Sequence, residues 1–192
     1  MELLENTTFN ESTDSFQPIV PGVYPGHVTS FEARDVNDAI VFNLVVTLHE
    51  KVGELEVPIY KSNEDGTFAT VKDEDGNELL RKATHLVGKE IRTTGIWLTP
   101  SPKDGEGWKN RKYKEFCESL GVAFPSDDKG NVQLGKIEED DVLGNPCLAK
   151  VGEEKFTNKE GQEKTTMRVF NCFPWSSGQQ IPRDELGIDV PF

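Results

Sequence analysis

Apolar and polar residues alternate along several short segments of the chain, and this alternation predicts β-strands. The strongest example is AIVFNLVVTLHE at residues 39–50, which is rich in β-branched residues and alternates from position 42 to position 48. The segment at 23–31 also has a strand pattern. Residues 35–38, Asp-Val-Asn-Asp, have turn chemistry, so the two strands are predicted to form a hairpin.

The same pattern predicts further strands towards the C-terminus. Residues 55–60 form a strand that contains Pro58, which favours an edge position because proline cannot donate a backbone hydrogen bond. Residues 89–98 form another, in which Gly95 indicates a bulge or a close backbone approach. Residues 147–156 and 164–173 are predicted to form a hairpin around the turn Asn-Lys-Glu-Gly. The segment at 79–86 is ambiguous and also fits a short helix.

One segment has helical periodicity. In residues 110–120 the apolar side chains recur at i, i+3, i+4 and i+7, which gives one buried stripe. Asn110 is the predicted N-cap and Gly121 the predicted stop. The stripe consists of Tyr113, Phe116, Cys117 and Leu120, and Phe116 is assigned to the core.

Many short strands with one late helix before a closing hairpin predict a mainly β fold. We expect an OB-like barrel of short antiparallel strands with one inserted α-helix, and a β-sandwich is the alternative. The predicted domains are a flexible acidic N-terminal arm at 1–17, the OB-like domain at 18–175, and a disordered acidic interaction tail at 176–192.

Composition and charge argue against several classes of function. The net charge of −13 argues against non-specific adhesion to nucleic acids or anionic membranes, and no segment is apolar enough to span a bilayer. The N-terminus does not resemble a secretion signal. The three cysteines are widely spaced and are predicted to be buried, reduced thiols. The sequence shows no catalytic constellation, no metal ligand set and no cofactor motif, so we expect a protein that is not an enzyme.

The charge is unevenly distributed along the chain, and one segment has the opposite sign to the protein as a whole. Residues 81–114 contain nine basic and three acidic residues, a local net charge of +6. Trp97, Trp108 and Tyr113 lie among these cations. A single nucleic-acid strand needs this combination, because the cations follow its phosphates and the flat rings stack on unpaired bases. The alternative is a solvated basic region whose aromatic residues belong to the core.

The C-terminal residues resemble the end of a known family of proteins. The chain ends in DELGIDVPF, which resembles the C-terminal tip of bacterial single-stranded DNA-binding proteins, where acidic residues precede a terminal Ile-Pro-Phe. Here Val190 replaces the isoleucine, and apolar residues dilute the acidic run. The resemblance implies that the terminal phenylalanine enters a pocket on replication or repair proteins. The implied partner-binding residues are Asp184, Glu185, Asp189, Val190, Pro191 and Phe192.

The body is similar to phage-encoded single-stranded DNA-binding proteins, through PGVYPGHVTSFEA, AIVFNLVVTL, YKEFCESLGV and the segment from LGNPCLAK to RVFNCFPW. This resemblance implies a protein that coats single-stranded DNA during phage replication, recombination or repair in the cytoplasm of the bacterial host. Homo-oligomers are possible. The candidate nucleic-acid-binding residues are Lys89, Arg92, Trp97, Lys103, Trp108, Lys109, Arg111, Lys112, Lys114, Tyr60, Tyr113 and Phe156.

Two other function classes remain open at this point. A β-rich structural or adaptor protein of a phage would use the tail for protein contacts alone, and the acidic surface fits it equally well. A nuclease would need acidic residues grouped around a metal ion, and the sequence shows no such group. Salt-sensitive binding to single-stranded DNA separates the coating function from the adaptor function.

Overall fold

The protein is mainly β, as the alternating pattern predicts, but the described residues form two α-helices rather than the predicted one, and four of the strands have 10 to 15 residues and are not short. The computed structural model describes residues 17–63, 68–100 and 107–186. The described strands and helices are β1 (Gly22–Val36), β2 (Ala39–Leu48), β3 (Glu56–Pro58), β4 (Tyr60–Ser62), β5 (Phe68–Thr70), β6 (Leu80–Lys82), β7 (Glu90–Arg92), β8 (Ile96–Leu98), α1 (Gly107–Ser119), α2 (Glu139–Val142), β9 (Pro146–Thr157) and β10 (Glu163–Phe173). Short 3-10 turns lie at 50–54, 84–86 and 183–186.

The main sheet is antiparallel and is built on two long hairpins. Its order is β10-β9-β1-β2-β7, and β8 pairs with β2 beyond the end of β7. The predicted β1–β2 hairpin is confirmed, and Asn37 adopts a φ of 54° in its turn. The predicted C-terminal hairpin is also confirmed as β9–β10. The two hairpins are joined because β1 pairs with β9.

The two ends of this sheet approach each other at Thr93. Its side-chain hydroxyl accepts a hydrogen bond from the Leu44 backbone N–H (2.9 Å), and its own N–H donates to the Leu44 carbonyl (2.8 Å). On its other side Thr93 forms a parallel bridge to Val169 of β10, and the Thr94 N–H donates to the Val169 carbonyl (3.0 Å). Thr93 therefore connects β2 directly to β10.

The segment predicted as one strand at 89–98 is two strands. β7 pairs with β2 around Val45 and β8 pairs with it around Val41, with Gly95 just before β8. The predicted close approach at Gly95 is confirmed, since a Cβ there would lie 2.9 Å from Cγ2 of Val41. At this break Thr93 keeps its hydrogen bonds to Leu44 of β2, and the next residue, Thr94, donates to β10.

Helix α1 confirms the predicted apolar stripe but not the predicted start. Tyr113, Phe116, Cys117 and Leu120 are all buried, and the chain turns at Gly121 with a φ of 84°. The helix begins at Gly107 rather than after Asn110. Asn110 does not cap it. Its side-chain amide instead bonds both the N–H and the carbonyl of Thr99, at 2.9 Å each, and so ties the helix to the end of β8.

The segment between β2 and β7 forms a small lobe that packs against the common core through Val57 and Leu86. β3 pairs with β6, and β4 pairs with β5, each in a two-stranded sheet, so Pro58 lies at an edge as predicted. The ambiguous segment at 79–86 is strand β6 followed by a 3-10 turn. Gln17, the last residue of the predicted flexible arm, is fixed to this lobe because its side chain bonds the N–H and carbonyl of Tyr60 at 2.9 Å each.

The prediction of disorder from residue 176 onward is wrong for residues 176–186. The Trp175 ring packs edge-on against the rings of His27 (5.5 Å) and His49 (5.0 Å). The Ile181 N–H donates to the Gly144 carbonyl (3.0 Å), so the segment lies against the body. The polar composition of this segment does not predict these contacts of Trp175 and Ile181 with the body. Residues 187–192 and the predicted arm at 1–16 lie outside the described residues. The three cysteines are buried and unpaired, as predicted.

We predict that acidification lowers the stability of the folded protein. His27 is buried, and its Nε2 donates to the Gln179 carbonyl (2.8 Å). Burial lowers its pKa, and burial also lowers the pKa of His85. Unfolded histidine has a pKa of about 6.5, so below that pH the unfolded chain binds more protons than the folded one. The two neutral histidines therefore contribute stability above pH 6.5. This contribution is lost as the pH falls through their lowered pKa values in the folded protein.

The measurement is thermal unfolding between pH 7.5 and pH 5. We expect the melting temperature to fall across this range. A variant carrying His27→Gln and His85→Gln should be less stable at pH 7.5 but show a shallower fall. An equally steep fall in this variant would contradict the assignment, because it would place the titrating groups elsewhere.

Candidate nucleic-acid interface

A groove about 660 Å³ in volume lies between strand β8, helix α1 and the β9–β10 hairpin. We call it the aromatic groove, because three exposed aromatic rings line it. The lining residues are Thr94, Gly95, Ile96, Trp97, Trp108, Lys109, Lys112, Glu115, Phe116, Lys150, Phe170 and Asn171. Four of these, Trp97, Trp108, Lys109 and Lys112, are candidates from the sequence.

Trp97 is positioned by its strand. It lies opposite Val41 in the β2–β8 pairing, and its side chain is 42% exposed. Its indole lies close to Gly95, where a Cβ would be 3.2 Å from Nε1 of the ring. Because Gly95 has no side chain, the indole can lie close to the backbone while one face remains open to the groove.

Trp108 is positioned by the first turn of α1 and is 53% exposed. Lys112, one turn further along the helix, holds its Nζ 5.0 Å from the centroid of the indole. This cation–π contact orients both side chains. An exposed aromatic ring and a cation therefore lie side by side on one face of the helix.

Phe170 is the third ring and is not among the candidates from the sequence. The β9–β10 register shifts between Val169 and Asn171, so Phe170 is the extra residue of a β-bulge and is 47% exposed. Its ring lies against Gly152, where a Cβ would be 3.1 Å from Cε2. A bulge redirects a side chain in this way. The sequence signal was the apolar pair Val169-Phe170, since in an alternating strand only one of two neighbours can face the core.

The predicted cations divide into two groups. Lys109 and Lys112 line the groove, and Lys150 of β9 joins them although it was not predicted. Lys114 forms an ion pair with Glu118 at 2.6 Å, and Arg111 is exposed on the same helix but does not line the groove. Exposed pairs of this kind contribute about 1 kcal/mol or less.

Lys89 and Arg92 lie beside and on β7, and neither lines the groove. Lys89 is exposed just before β7. Arg92 is opposite Val45, four residues from the Val41 partner of Trp97, so the two side chains share one face of the sheet about 13 Å apart. Arg92 lines a separate depression together with Glu185 and Leu186. Lys103 lies outside the described residues.

The prediction that Tyr113 stacks on bases is wrong, because its ring is fully buried. The ring stacks on Phe42 with a centroid distance of 5.3 Å. Its hydroxyl donates to the Gly135 carbonyl (2.8 Å) and accepts from the Ile137 N–H (3.0 Å). Burial raises the pKa of Tyr113 well above its ordinary value. Phe116 is buried as predicted, at the base of the groove.

Tyr60 and Phe156 do not line the groove. Tyr60 is half-buried in the small lobe, where it packs against the core, and burial raises its pKa. Phe156 is 44% exposed near the tip of the β9–β10 hairpin. By strand alternation it shares a face with Lys150 and Gly152, about 20 Å from Lys150 along β9.

Two of the six predicted partner-binding residues lie at the C-terminal edge of the described chain. Glu185 is exposed and lines the depression beside Arg92, and Asp184 lies in the last 3-10 turn. Asp189, Val190, Pro191 and Phe192 lie outside the described residues. Their role in binding a partner stays a prediction.

In residues 17–63, 68–100 and 107–186, no three His, Cys, Asp or Glu side chains are close enough together to bind a metal ion. In the same residues, no helix is both long enough and apolar enough to cross a membrane. No protein-family model matches the chain, and no curated protein sequence is significantly similar to it. The aromatic groove is therefore interpreted from its own geometry.

Proposed function

We propose that the protein binds and coats single-stranded DNA without strict sequence specificity, with the aromatic groove as the binding site. The observation that carries the proposal is the convergence of three exposed rings, Trp97, Trp108 and Phe170, in one groove. Three lysines, Lys109, Lys112 and Lys150, line the same groove. The rings come from three separate elements of the fold, so their convergence is a tertiary feature.

The chemistry of the groove favours a single strand over a duplex. Stacking on a protein ring requires a base whose face is uncovered, and in a duplex both faces of each base are covered by neighbours. Every base has such a face, so stacking tolerates any sequence. The lysines supply charges for phosphates within an otherwise acidic protein, so binding is confined to the groove.

We also propose that the sheet belongs to an OB-type barrel, which commonly binds oligonucleotides. The sheet order β10-β9-β1-β2-β7 supports this, because it places β9 and β10, the fourth and fifth of these five strands in chain order, on the far side of β1 from β2. The parallel bridge between Thr93 and Val169 links the two ends of that order. Helix α1 lies between the third and fourth of these strands in the chain, where the barrel would need it.

The biological setting of the proposal comes from the resemblance described above. Coating would serve phage DNA replication, recombination or repair in the bacterial host. The acidic C-terminal residues would recruit partner proteins through the terminal phenylalanine, in the manner of a short peptide anchor. The segment that leads to them is fixed to the body as far as Ile181, which supports presentation of the tail from one defined place.

The test is tryptophan fluorescence in a variant that reports on the groove alone. Trp175 is the third tryptophan and lies away from the groove, so Trp175→Phe leaves Trp97 and Trp108 as the fluorophores. We expect oligo-dT to quench this variant at low salt, a matched duplex to quench it far less, and affinity to fall steeply as salt is raised. No quenching and no salt-sensitive binding would contradict the proposal and favour the structural or adaptor function.

A further inference from the structure

Besides Thr94, two side chains in the aromatic groove have polar groups that neither stack nor neutralise phosphate. They are Glu115 on helix α1 and Asn171 on strand β10, just beyond the Phe170 bulge. A carboxylate is an unexpected residue in a groove for a polyanion, because it repels every phosphate that approaches. We therefore expect this carboxylate to make a favourable contact with a part of the DNA strand other than its phosphates.

Glu115 lies on the same helical face as the stacking ring. Trp108, Lys112 and Glu115 are spaced at i, i+4 and i+7, so all three project towards the groove. Lys112 is near enough along the helix to pair with Glu115, but its ammonium group lies over the Trp108 ring instead. Among the described residues, Glu115 takes part in no ion pair. Its carboxylate remains available as a hydrogen-bond acceptor.

Asn171 is available in a similar way. It is half-buried opposite Lys150 in the β9–β10 register, and its side-chain amide makes no hydrogen bond to another described residue. An amide offers both donors and an acceptor. A base stacked on Phe170 or Trp108 would turn its edge, not its face, towards polar groups that line the same groove.

We propose that Glu115 and Asn171 contact the edges of the stacked bases and favour bases with an exocyclic amino group. At ring position 4, cytosine carries an amino donor and uracil carries a carbonyl acceptor. A carboxylate attracts the first and repels the second, in the same way that Glu accepts from cytosine N4 in duplex readout. Cytosine is thus the favoured pyrimidine. This inference rests on the proposed function, and it adds a base preference to a site that stacking alone would leave indifferent.

The experiment compares oligo-dC with oligo-dU of equal length, which differ in hydrogen bonding but not in ring size or sugar. With the full-length protein we expect oligo-dC to bind about fivefold more tightly, the size of one partly exposed hydrogen bond. Glu115→Ala should reduce this ratio to near one, and Asn171→Ala should reduce it in part. The matched control is Glu118→Ala, which removes the same charge from the same helix outside the groove, and it should leave the ratio unchanged.

The outcomes separate the inference from the proposed function. Equal binding of both oligonucleotides by the unmodified protein would overturn this inference alone. So would a Glu115→Ala variant that binds both more tightly by the same factor, because the carboxylate would then only repel phosphate. Absence of salt-sensitive binding to either oligonucleotide would overturn the proposed function together with the inference.

Discussion

Replacing Trp97 and Trp108 together by alanine is expected to reduce the affinity for oligo-dT by at least about 30-fold. Each base stacked on an aromatic ring contributes about 1–3 kcal/mol, and two such bases correspond to a change of that size or more. Both rings are about half exposed, so the fold should tolerate their removal. The measurement is a titration that does not depend on tryptophan emission, such as fluorescence anisotropy of a labelled oligonucleotide.

The matched control for this loss is Phe173→Ala. Phe173 is 39% exposed on the same strand as Phe170 but does not line the groove. Phe170→Ala should weaken binding by about fivefold or more, the cost of one stacked base, and Phe173→Ala should leave it unchanged. An affinity unchanged by the double tryptophan substitution would remove the aromatic groove as the binding site, even if the protein binds DNA elsewhere.

The second large effect is expected on stability, at Tyr113. Tyr113→Ala would leave a cavity beside Phe42 and should lower the free energy of unfolding by about 3–5 kcal/mol. Tyr113→Phe keeps the ring but removes the acceptor for the buried Ile137 N–H. That substitution should cost about 1–3 kcal/mol. Urea unfolding of both variants measures these values.

The Tyr113→Phe variant also tests which part of the molecule this residue serves. A core residue lowers stability when changed but leaves the affinity of the folded protein for oligo-dT unaltered. If Tyr113→Phe weakened binding tenfold while its unfolding curve matched that of the unmodified protein, the assignment of Tyr113 to the core would be wrong. Its hydroxyl would then have to contact the strand.

The sequence predicted the local elements well wherever one face of an element is buried. The alternation in β2 and the stripe on α1 each follow from a single apolar face, and both are confirmed. That rule places Tyr113 on the buried stripe, whereas its cationic neighbours indicate a ring that stacks on bases. The local sequence contains both signals, and the packing of the ring on Phe42 of β2 decides for the stripe.

The composition of the candidate groove was predicted only in part. Trp97 and Trp108 are candidates because of their cationic neighbours in the sequence, and both rings line the aromatic groove. Phe170 and Lys150 come from the C-terminal hairpin, far away in the chain, and no local pattern connects them to the helix. The bulge that turns Phe170 outward is a shift in pairing register, which depends on both strands at once.

The pairing of β1 with β9 has a consequence for how the chain folds. Among the described strands β1 is synthesised before all the others, yet one of its two edges is completed only by β9, more than a hundred residues later in the chain. Contacts between such distant segments slow folding, since a long loop must close before they form. Until β9 is made, β1 presents unpaired backbone groups that can pair with other chains. Fragments that end before β9 should therefore aggregate, and successful folding during synthesis depends on how soon the C-terminal hairpin follows.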